Sequence, residues 1–160
     1  MELGVRIISE SVRQTLDIGR AIARNLKKGD IVCLSGQLGS GKTVLAKGIA
    51  WGLGINPKDV SSPTFILIRQ YHQGSLPLYH FDFYRLKSPQ DVLGLGYEEY
   101  FYADGVSVIE WPDKLKYLLP EESLDIKLSI KGLRKRLIEF KAGNALQEEL
   151  LKKIYENIRH

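Results

Sequence analysis

The most informative part of this chain is the run Gly36-Gln37-Leu38-Gly39-Ser40-Gly41-Lys42-Thr43. It has the Gly-x-x-x-x-Gly-Lys-Thr pattern of a phosphate-binding loop. Glycines allow backbone conformations that turn successive N–H groups inward on phosphates, and the helix that follows points its positive end at the same place. Gly36, Gly39 and Gly41 are therefore predicted to shape a phosphate cradle, with the N–H of Ser40 among its donors.

Lys42 and Thr43 supply the two side chains that complete such a loop. The lysine reaches the β- and γ-phosphates as a mobile positive charge, and the threonine offers its hydroxyl to Mg²⁺. The sequence thus predicts a site for a nucleoside triphosphate and Mg²⁺.

The segments beside the loop have the required patterns. Residues 31–34 form an apolar run typical of a strand buried on both faces, and residues 42–53 have helical periodicity that Gly54 ends. Upstream, residues 5–8 are predicted to form a strand, and Ser11 opens a helix that extends to about residue 28. Its packed side would consist of Val12, Leu16, Gly19, Ile22, Ala23 and Leu26.

Downstream, residues 64–71 and 78–84 are predicted to form a hairpin, and residues 106–109 a short buried strand. Residues 89–103 are predicted to be helical in part, and two prolines bracket a short helix at residues 112–120. Strands at 124–130 and 133–140 would turn at residues 131–132. A last helix at 145–159 would pack through Leu146, Leu150, Leu151, Ile154 and Ile158.

Alternating helices and buried strands predict an α/β fold of the P-loop NTPase type. It would contain a mixed, mostly parallel sheet, helices on both faces and antiparallel edge strands. We expect residues 1–143 to form a P-loop nucleotide-binding domain and residues 144–160 to form a helical tail that packs on the same domain.

Two acidic residues at predicted strand ends are candidates for the chemistry. Asp82 alternates with His80 and Tyr84 on one face of its strand, and Glu110 closes residues 106–109. Such a carboxylate can hold the metal or orient the attacking water, and we expect one residue to take each task. A salt bridge between Asp82 and Arg85, and a helix cap by Glu110, are the structural alternatives.

Three other polar positions have weaker patterns. Ser62-Pro63-Thr64 follows a flexible stretch, where a threonine that senses the γ-phosphate could lie, or where the chain simply turns. His80 is interpreted as a half-buried histidine with satisfied hydrogen bonds rather than a metal ligand, because no second histidine or cysteine is spaced to join it. Cys33 is interpreted as a small buried hydrophobe.

Composition and charge narrow the class of protein. The chain is 44% hydrophobic and 26% charged, and no apolar run approaches the roughly 20 residues of a membrane span. The lone cysteine and the lack of a secretory pattern at the start favour the cytoplasm. Residues 131–160 hold eight Lys or Arg against four Glu, so the whole positive excess lies at this end.

The phosphate loop, Ser62-Pro63-Thr64-Phe65, the run His80-Phe81-Asp82-Phe83-Tyr84-Arg85 and Glu110-Trp111-Pro112 together resemble the bacterial TsaE (YjeE) family. The order and spacing of these motifs match over about residues 15–136. The resemblance implies a small ATPase that supports threonylcarbamoylation of adenosine 37 in tRNAs reading codons that begin with A. It also implies that the protein docks on the TsaD–TsaB pair, contacts tRNA only through that complex, and uses ATP hydrolysis to reset it.

The same resemblance assigns roles to residues. Lys42 and the loop amides would hold the phosphates of ATP, Thr43 and Glu110 would hold Mg²⁺, and Asp82 would support hydrolysis. Either Arg134 or Arg136 would lie near the base or ribose. Trp111 and Tyr84 would shape the site or the partner surface.

Two other classes of function are the alternatives. A small-molecule or nucleotide kinase would need a second pocket and usually an arginine-rich lid, which residues 58–111 do not show. An RNA-binding module is suggested by the basic C-terminal end and the eight tyrosines, but the chain has no RNA-binding signature.

Overall fold

The phosphate loop joins a buried strand to a helix in the computed structural model, which describes residues 3–101, 103–120 and 122–159. Within these ranges the strands are β1 (Leu3–Ser9), β2 (Ile31–Gly36), β3 (Ile68–Tyr71), β4 (Leu78–Asp82), β5 (Val106–Glu110), β6 (Leu124–Ile130) and β7 (Arg136–Ala142). The α-helices are α1 (Val12–Ala23), α2 (Lys42–Gly52), α3 (Gln90–Leu93) and α4 (Ala145–Arg159). Short 3₁₀ turns lie at Pro57–Asp59, Tyr97–Glu99 and Pro112–Leu118.

All seven strands form one sheet in the order β1-β7-β6-β2-β5-β4-β3. Strand β2 lies parallel to both β5 and β6, and β4 lies parallel to β5. The outer pairs, β3 with β4 and β7 with β6 and β1, are antiparallel. The prediction of a mixed sheet with a parallel centre and antiparallel edges is therefore confirmed. Since β2, β4 and β5 run parallel, their carboxyl ends meet at one edge, beside the phosphate loop.

Two apolar clusters cover the two faces of the sheet. One contains side chains of α1, α2 and α4 packed on Val32, Leu34 and Val108. The other contains Ile31 and Ile109 beneath α3 and the 3₁₀ turns at Tyr97–Glu99 and Pro112–Leu118. The odd and even residues of β2 thus enter different clusters, as expected for a strand buried on both faces.

Helix α1 ends earlier than predicted, at Ala23, because the chain tightens into turns at the next residues. The N–H groups of Asn25 and Leu26 donate to carbonyls only three residues back. The predicted packed side was wrong at Val12, which is 61% exposed. Thr15 takes its place in the interior and shares a 2.7 Å hydrogen bond with Ser9.

The hairpin is present, but β3 begins at Ile68 rather than at residue 64. The N–H of Leu67 donates to the carbonyl of Pro63 at 2.7 Å, so the preceding residues form a turn instead of a strand. Leu67 has a φ of 69° in the left-handed region. Side-chain bonds from Ser62 and Thr64 to Asp82 fix this turn.

The last two elements differ from prediction in detail. Strand β7 begins at Arg136 rather than at residue 133, because a longer turn is closed by a bond from the N–H of Lys131 to the carbonyl of Lys135. Leu151 and Ile154 of α4 belong to the main core, whereas Leu146 is 79% exposed, so its predicted packing was wrong. His160, the end of the predicted tail, lies outside the described residues.

No helix in the described part of the chain combines the length and the apolar character that crossing a membrane requires.

Candidate nucleotide and metal site

The loop glycines adopt the conformations for which the motif selects them. Gly36, Gly39 and Gly41 have φ values of 144°, 80° and 103°, all in a region that other residues avoid. A Cβ atom on Gly36 would lie 2.4 Å from the carbonyl oxygen of Leu128 on β6. The loop therefore depends on glycine both for its backbone shape and for its close approach to the sheet.

Lys42 is folded back over the loop. Its Nζ donates to the carbonyl oxygens of Gly36 and Gln37 at 2.7 and 2.8 Å, and lies 3.4 Å from Ser40 Oγ. Burial lowers the pKa of Lys42, and the carboxylates of Glu110, Asp82 and Asp113 act in the opposite direction. The cation thus lies beside a phosphate cradle, held by bonds that a stronger anionic acceptor can replace.

The Glu110 side chain, at the end of β5, contacts the first turn of α2. Thr43 Oγ1 donates to its two carboxylate oxygens at 2.9 and 3.2 Å, across 67 residues of sequence. His80 Nε2 on β4 lies 2.5 Å from Oε2 of the same carboxylate. Glu110 therefore does not act as a helix cap, and the residue that caps the following turn makes no side-chain bond there.

Asp82 binds the turn that precedes β3. Its Oδ2 accepts bonds from Ser62 and, at 2.9 Å, from Thr64, and its Oδ1 accepts from the N–H of Tyr84 at 2.9 Å. Asp82 is 3% exposed. The alternative of an ion pair with Arg85 is wrong, because Arg85 instead lies over the ring of Phe65. Asp82 connects the candidate switch threonine to the floor of the site.

The two candidate arginines occupy different places. Arg136 donates from Nε to the carbonyl of Ser40 at 3.1 Å and from Nη2 to that of Gly39 at 3.3 Å. Arg134 is exposed on the β6–β7 turn. Arg136 is thus the arginine that supports the phosphate loop.

Trp111 and Tyr84 close one side of the site. The Lys42 Nζ lies 4.3 Å from the centre of the Trp111 ring, which in turn is 5.1 Å from the Tyr84 ring. Trp111 has a φ of 59°, a conformation that costs a non-glycine residue about 1–3 kcal/mol. This conformation belongs to the tight turn after β5, which places the ring of Trp111 over Lys42.

These residues line a cleft of about 370 Å³. Its wall consists of Leu38, Gly39, Gly41, Lys42, Thr43, Val44, Ser62, Thr64, Asp82, Tyr84, Glu110 and Trp111. The Thr43 hydroxyl and the Glu110 carboxylate are hard oxygen donors of the kind that Mg²⁺ prefers, alongside phosphate oxygens. The donor set therefore fits Mg²⁺ bound together with a nucleotide.

The structure brings together every predicted residue except Arg134. The interpretation of His80 as a half-buried histidine with satisfied hydrogen bonds was wrong: it is fully buried, Nε2 is bonded to Glu110, and Nδ1 has no partner among the described residues. The alternation that places His80 on the face of Asp82 was the signal that could have identified it. The folded-back Lys42 and the left-handed Trp111 had no sequence signal, because both follow from contacts between distant segments.

Comparison with known proteins identifies the family. Residues 9–138 match the family model described as threonylcarbamoyl adenosine biosynthesis protein TsaE. The chain is similar to a tRNA threonylcarbamoyladenosine biosynthesis protein TsaE of Bacillus subtilis, with 41% identity over 147 residues and 91% of each chain covered. A protein of the same name from Treponema pallidum is 43% identical over 126 residues, covering 79% of this chain and 92% of that relative.

A solved structure agrees with these relatives. The crystal structure of YdiB from Bacillus subtilis superposes with a TM-score of 0.83 at 35% identity, over 98% of this chain and 97% of that one. The agreement extends over the whole sheet and its helices rather than over the phosphate loop alone. The chain belongs to the TsaE family.

Proposed function

We propose that this protein is a Mg²⁺-dependent ATPase subunit that acts with the TsaD–TsaB complex in the cytoplasm. Its task would be to support threonylcarbamoylation of adenosine 37 in tRNAs reading codons that begin with A. The main support for nucleotide and Mg²⁺ binding is the hydrogen bond between Thr43 and Glu110, which lies beside a loop shaped by glycines. The pathway is the one in the names of the relatives.

The geometry supports a division of tasks within the site. The N–H groups of residues 36–43 and the Nζ of Lys42 would hold the phosphates of ATP, once Lys42 leaves the two carbonyls that it now contacts. Thr43 and Glu110 would hold Mg²⁺, which supplies charge neutralisation for the departing phosphate. Arg136 would keep the loop in shape from behind.

Asp82 would act through the turn that it binds. Because Ser62, Thr64 and the N–H of Tyr84 occupy both of its oxygens, its carboxylate fixes the position of Thr64 beside the cleft. A threonine placed there can respond to the presence of a terminal phosphate. We therefore expect loss of Asp82 to reduce hydrolysis by releasing this turn.

ATP hydrolysis by the purified protein, alone and with a purified TsaD–TsaB pair, tests the proposal. We expect hydrolysis to rise when the pair is added, and Lys42→Ala, Asp82→Ala and Glu110→Ala each to reduce it strongly. Asp125→Ala and Glu139→Ala are matched controls, since these carboxylates lie on β6 and β7 outside the cleft. A hydrolysis rate that does not change when the pair is added would contradict the docking role. A rate that is unchanged in Glu110→Ala would contradict the metal site. Phosphate transfer to a small acceptor would instead support the kinase alternative.

A further inference from the structure

We propose that His80 is a positioning residue that fixes the orientation of the Glu110 carboxylate for Mg²⁺ binding. This role rests on the nucleotide and metal site proposed above and adds a residue outside its predicted ligand set. Within the described residues, the hydrogen bond of the His80 side chain is made to Glu110 and not to the phosphate loop. His80 would act only through Glu110.

Strand pairing places the two side chains together. Strands β4 and β5 are parallel, and Asp82 lies opposite Glu110 while His80 lies opposite Val108. The even-numbered residues of both strands face the same side, toward α2. His80 is therefore a diagonal neighbour of Glu110 on the same face, and the Glu110 carboxylate is bound by His80 and by Thr43 of α2.

The contacts divide the carboxylate between two donors. Thr43 Oγ1 is nearest to Oε1, at 2.9 Å, and His80 Nε2 is 2.5 Å from Oε2. A glutamate side chain has three rotatable bonds, and two donors on different oxygens determine both the position and the plane of its carboxylate. Mg²⁺ demands near-ideal octahedral geometry, so a carboxylate already oriented loses little freedom on binding.

Burial indicates that His80 does not simply fill the core. The ring is 0% exposed, Glu110 is 2% exposed, and Nδ1 of His80 is a buried atom without a hydrogen-bond partner among the described residues. An unpartnered buried polar atom destabilises the fold, whereas an apolar side chain of similar shape would not. The favourable polar contact that His80 makes here is its bond to Glu110.

A positioning role predicts a specific effect on metal affinity. Hydrogen-bond partners of metal ligands typically change affinity by about 10- to 100-fold when they are removed. His80→Asn removes the bond, because its short amide reaches only to the position of Nδ1. His80→Gln restores it, because the glutamine Nε2 lies the same number of bonds from Cβ as the histidine Nε2.

The experiment measures Mn²⁺ binding by the loss of its free electron-paramagnetic-resonance signal, in the presence of a non-hydrolysable ATP analogue. We expect the dissociation constant for Mn²⁺ to rise about tenfold or more in His80→Asn and to return close to the unaltered value in His80→Gln. Binding of the analogue in EDTA should be equal in all three proteins, since the hydrogen bond of His80 is made to Glu110 and not to the phosphate loop. Thermal unfolding of each variant checks that it is folded.

The outcomes separate this role from the proposed function. If the unaltered protein binds no Mn²⁺ with the analogue, the proposed metal site is wrong and the role of His80 falls with it. If the unaltered protein binds Mn²⁺ and His80→Asn binds it equally well, or the two variants weaken it equally, only the role of His80 is overturned.

A measurement on the unaltered protein covers the case in which a variant does not fold. In a ¹⁵N-histidine spectrum we expect the Nε2 resonance of His80 to shift when Mg²⁺ is added to the analogue complex. His72 is exposed and serves as the internal control, with no shift expected. A His80 resonance that does not respond to Mg²⁺ while binding occurs would overturn the role.

Discussion

Apart from the edge strand β3, the two halves of the sheet differ in where their polar side chains lie. The site half, consisting of β2, β4 and β5, has strands buried on both faces, yet it holds His80, Asp82 and Glu110 in its interior. The open half, consisting of β6, β7 and β1, alternates buried and exposed residues along β6. A groove of about 540 Å³ lies over the open half, and the charged residues Arg6, Asp125, Lys127, Glu139 and Lys141 line it.

In this sheet, charged side chains are buried at the predicted nucleotide site and at least partly exposed elsewhere. In the open half, charges such as Arg6 and Glu139 pair at 3.3 Å at the surface, where an ion pair contributes little. In the site half, every buried carboxylate is held by donors from another segment. Burying a carboxylate is costly unless it has hydrogen-bond donors, and here the donors come from Thr43 and His80 for Glu110 and from the turn before β3 for Asp82.

The largest expected effect distinguishes a lysine of the site half, Lys42, from one of the open half, Lys127. Lys42→Ala should reduce partner-stimulated ATP hydrolysis about 100-fold or more, because it removes the buried positive charge that would hold the phosphates once it leaves the loop carbonyls. Lys127→Ala, on the exposed face of β6, should leave the rate unchanged. Steady-state release of phosphate measures both. Equal losses in the two variants would mean that net charge, rather than the loop, governs the activity.

Glycine substitutions should show a smaller difference in stability. Gly36→Ala is expected to lower the free energy of unfolding by about 1–3 kcal/mol, since its φ of 144° and the Leu128 carbonyl 2.4 Å away both oppose a Cβ. Gly4→Ala on β1 meets nothing nearer than 3.8 Å and should change it by less than about 0.5 kcal/mol. Urea denaturation compares them, and a stable Gly36→Ala protein would show that the loop is not held against β6.

Arg136 contributes side-chain hydrogen bonds from the open half to the phosphate loop. Arg136→Ala should weaken nucleotide binding about tenfold, because two charged hydrogen bonds to the loop carbonyls are lost. Arg134→Ala on the same turn should bind nucleotide as the unaltered protein does. Fluorescent-nucleotide titration measures both affinities. A larger loss in Arg134→Ala would reverse the assignment of the two arginines.

The smallest expected effect concerns the pH dependence of stability. Burial raises the pKa of the Cys33 thiol on β2 to about 12, whereas the unfolded thiol titrates near its ordinary value of 9.0. The unfolded chain therefore loses this proton first, so the contribution of Cys33 is complete below pH 9 and declines as the pH rises toward 12.

At pH 9.5 this amounts to a loss of about 1 kcal/mol, calculated from the ordinary thiol pKa. Denaturant midpoints at pH 7.5, 8.5 and 9.5 should show it, and Cys33→Ala should decline less over the same range. Identical declines in the two proteins would place the titrating group elsewhere.

The sequence predicted the site half better than the contacts between segments. A continuous apolar run identified β2, and the glycine spacing identified the loop, because both patterns are local. Asp82 and Glu110 were found because the ends of parallel strands meet at one edge. Local patterns and the rules of sheet topology were sufficient for these elements.

Features that depend on contacts between distant segments escaped prediction. The turn at residues 63–67 has β-forming residues, but hydroxyl bonds to Asp82 prevent a strand there. Leu146 fits the helical period of α4, yet the helix begins beyond the edge of the core and leaves it exposed. Alternation placed His80 and Asp82 on one face, but the bond from His80 to Glu110 also depends on the register between β4 and β5, which the sequence analysis did not predict.

The most direct test of the proposed nucleotide and metal site is to locate the bound metal relative to the strands of the sheet. Mn²⁺ with a non-hydrolysable ATP analogue broadens the amide signals of nearby residues in a ¹H–¹⁵N spectrum. We expect the signals of Gly41, Lys42, Thr43 and Glu110 to disappear, while those at the Leu3 end of β1, opposite Ala142, persist. Broadening centred on β1 and the groove of the open half, with sharp signals from the loop, would contradict the assignment of the site.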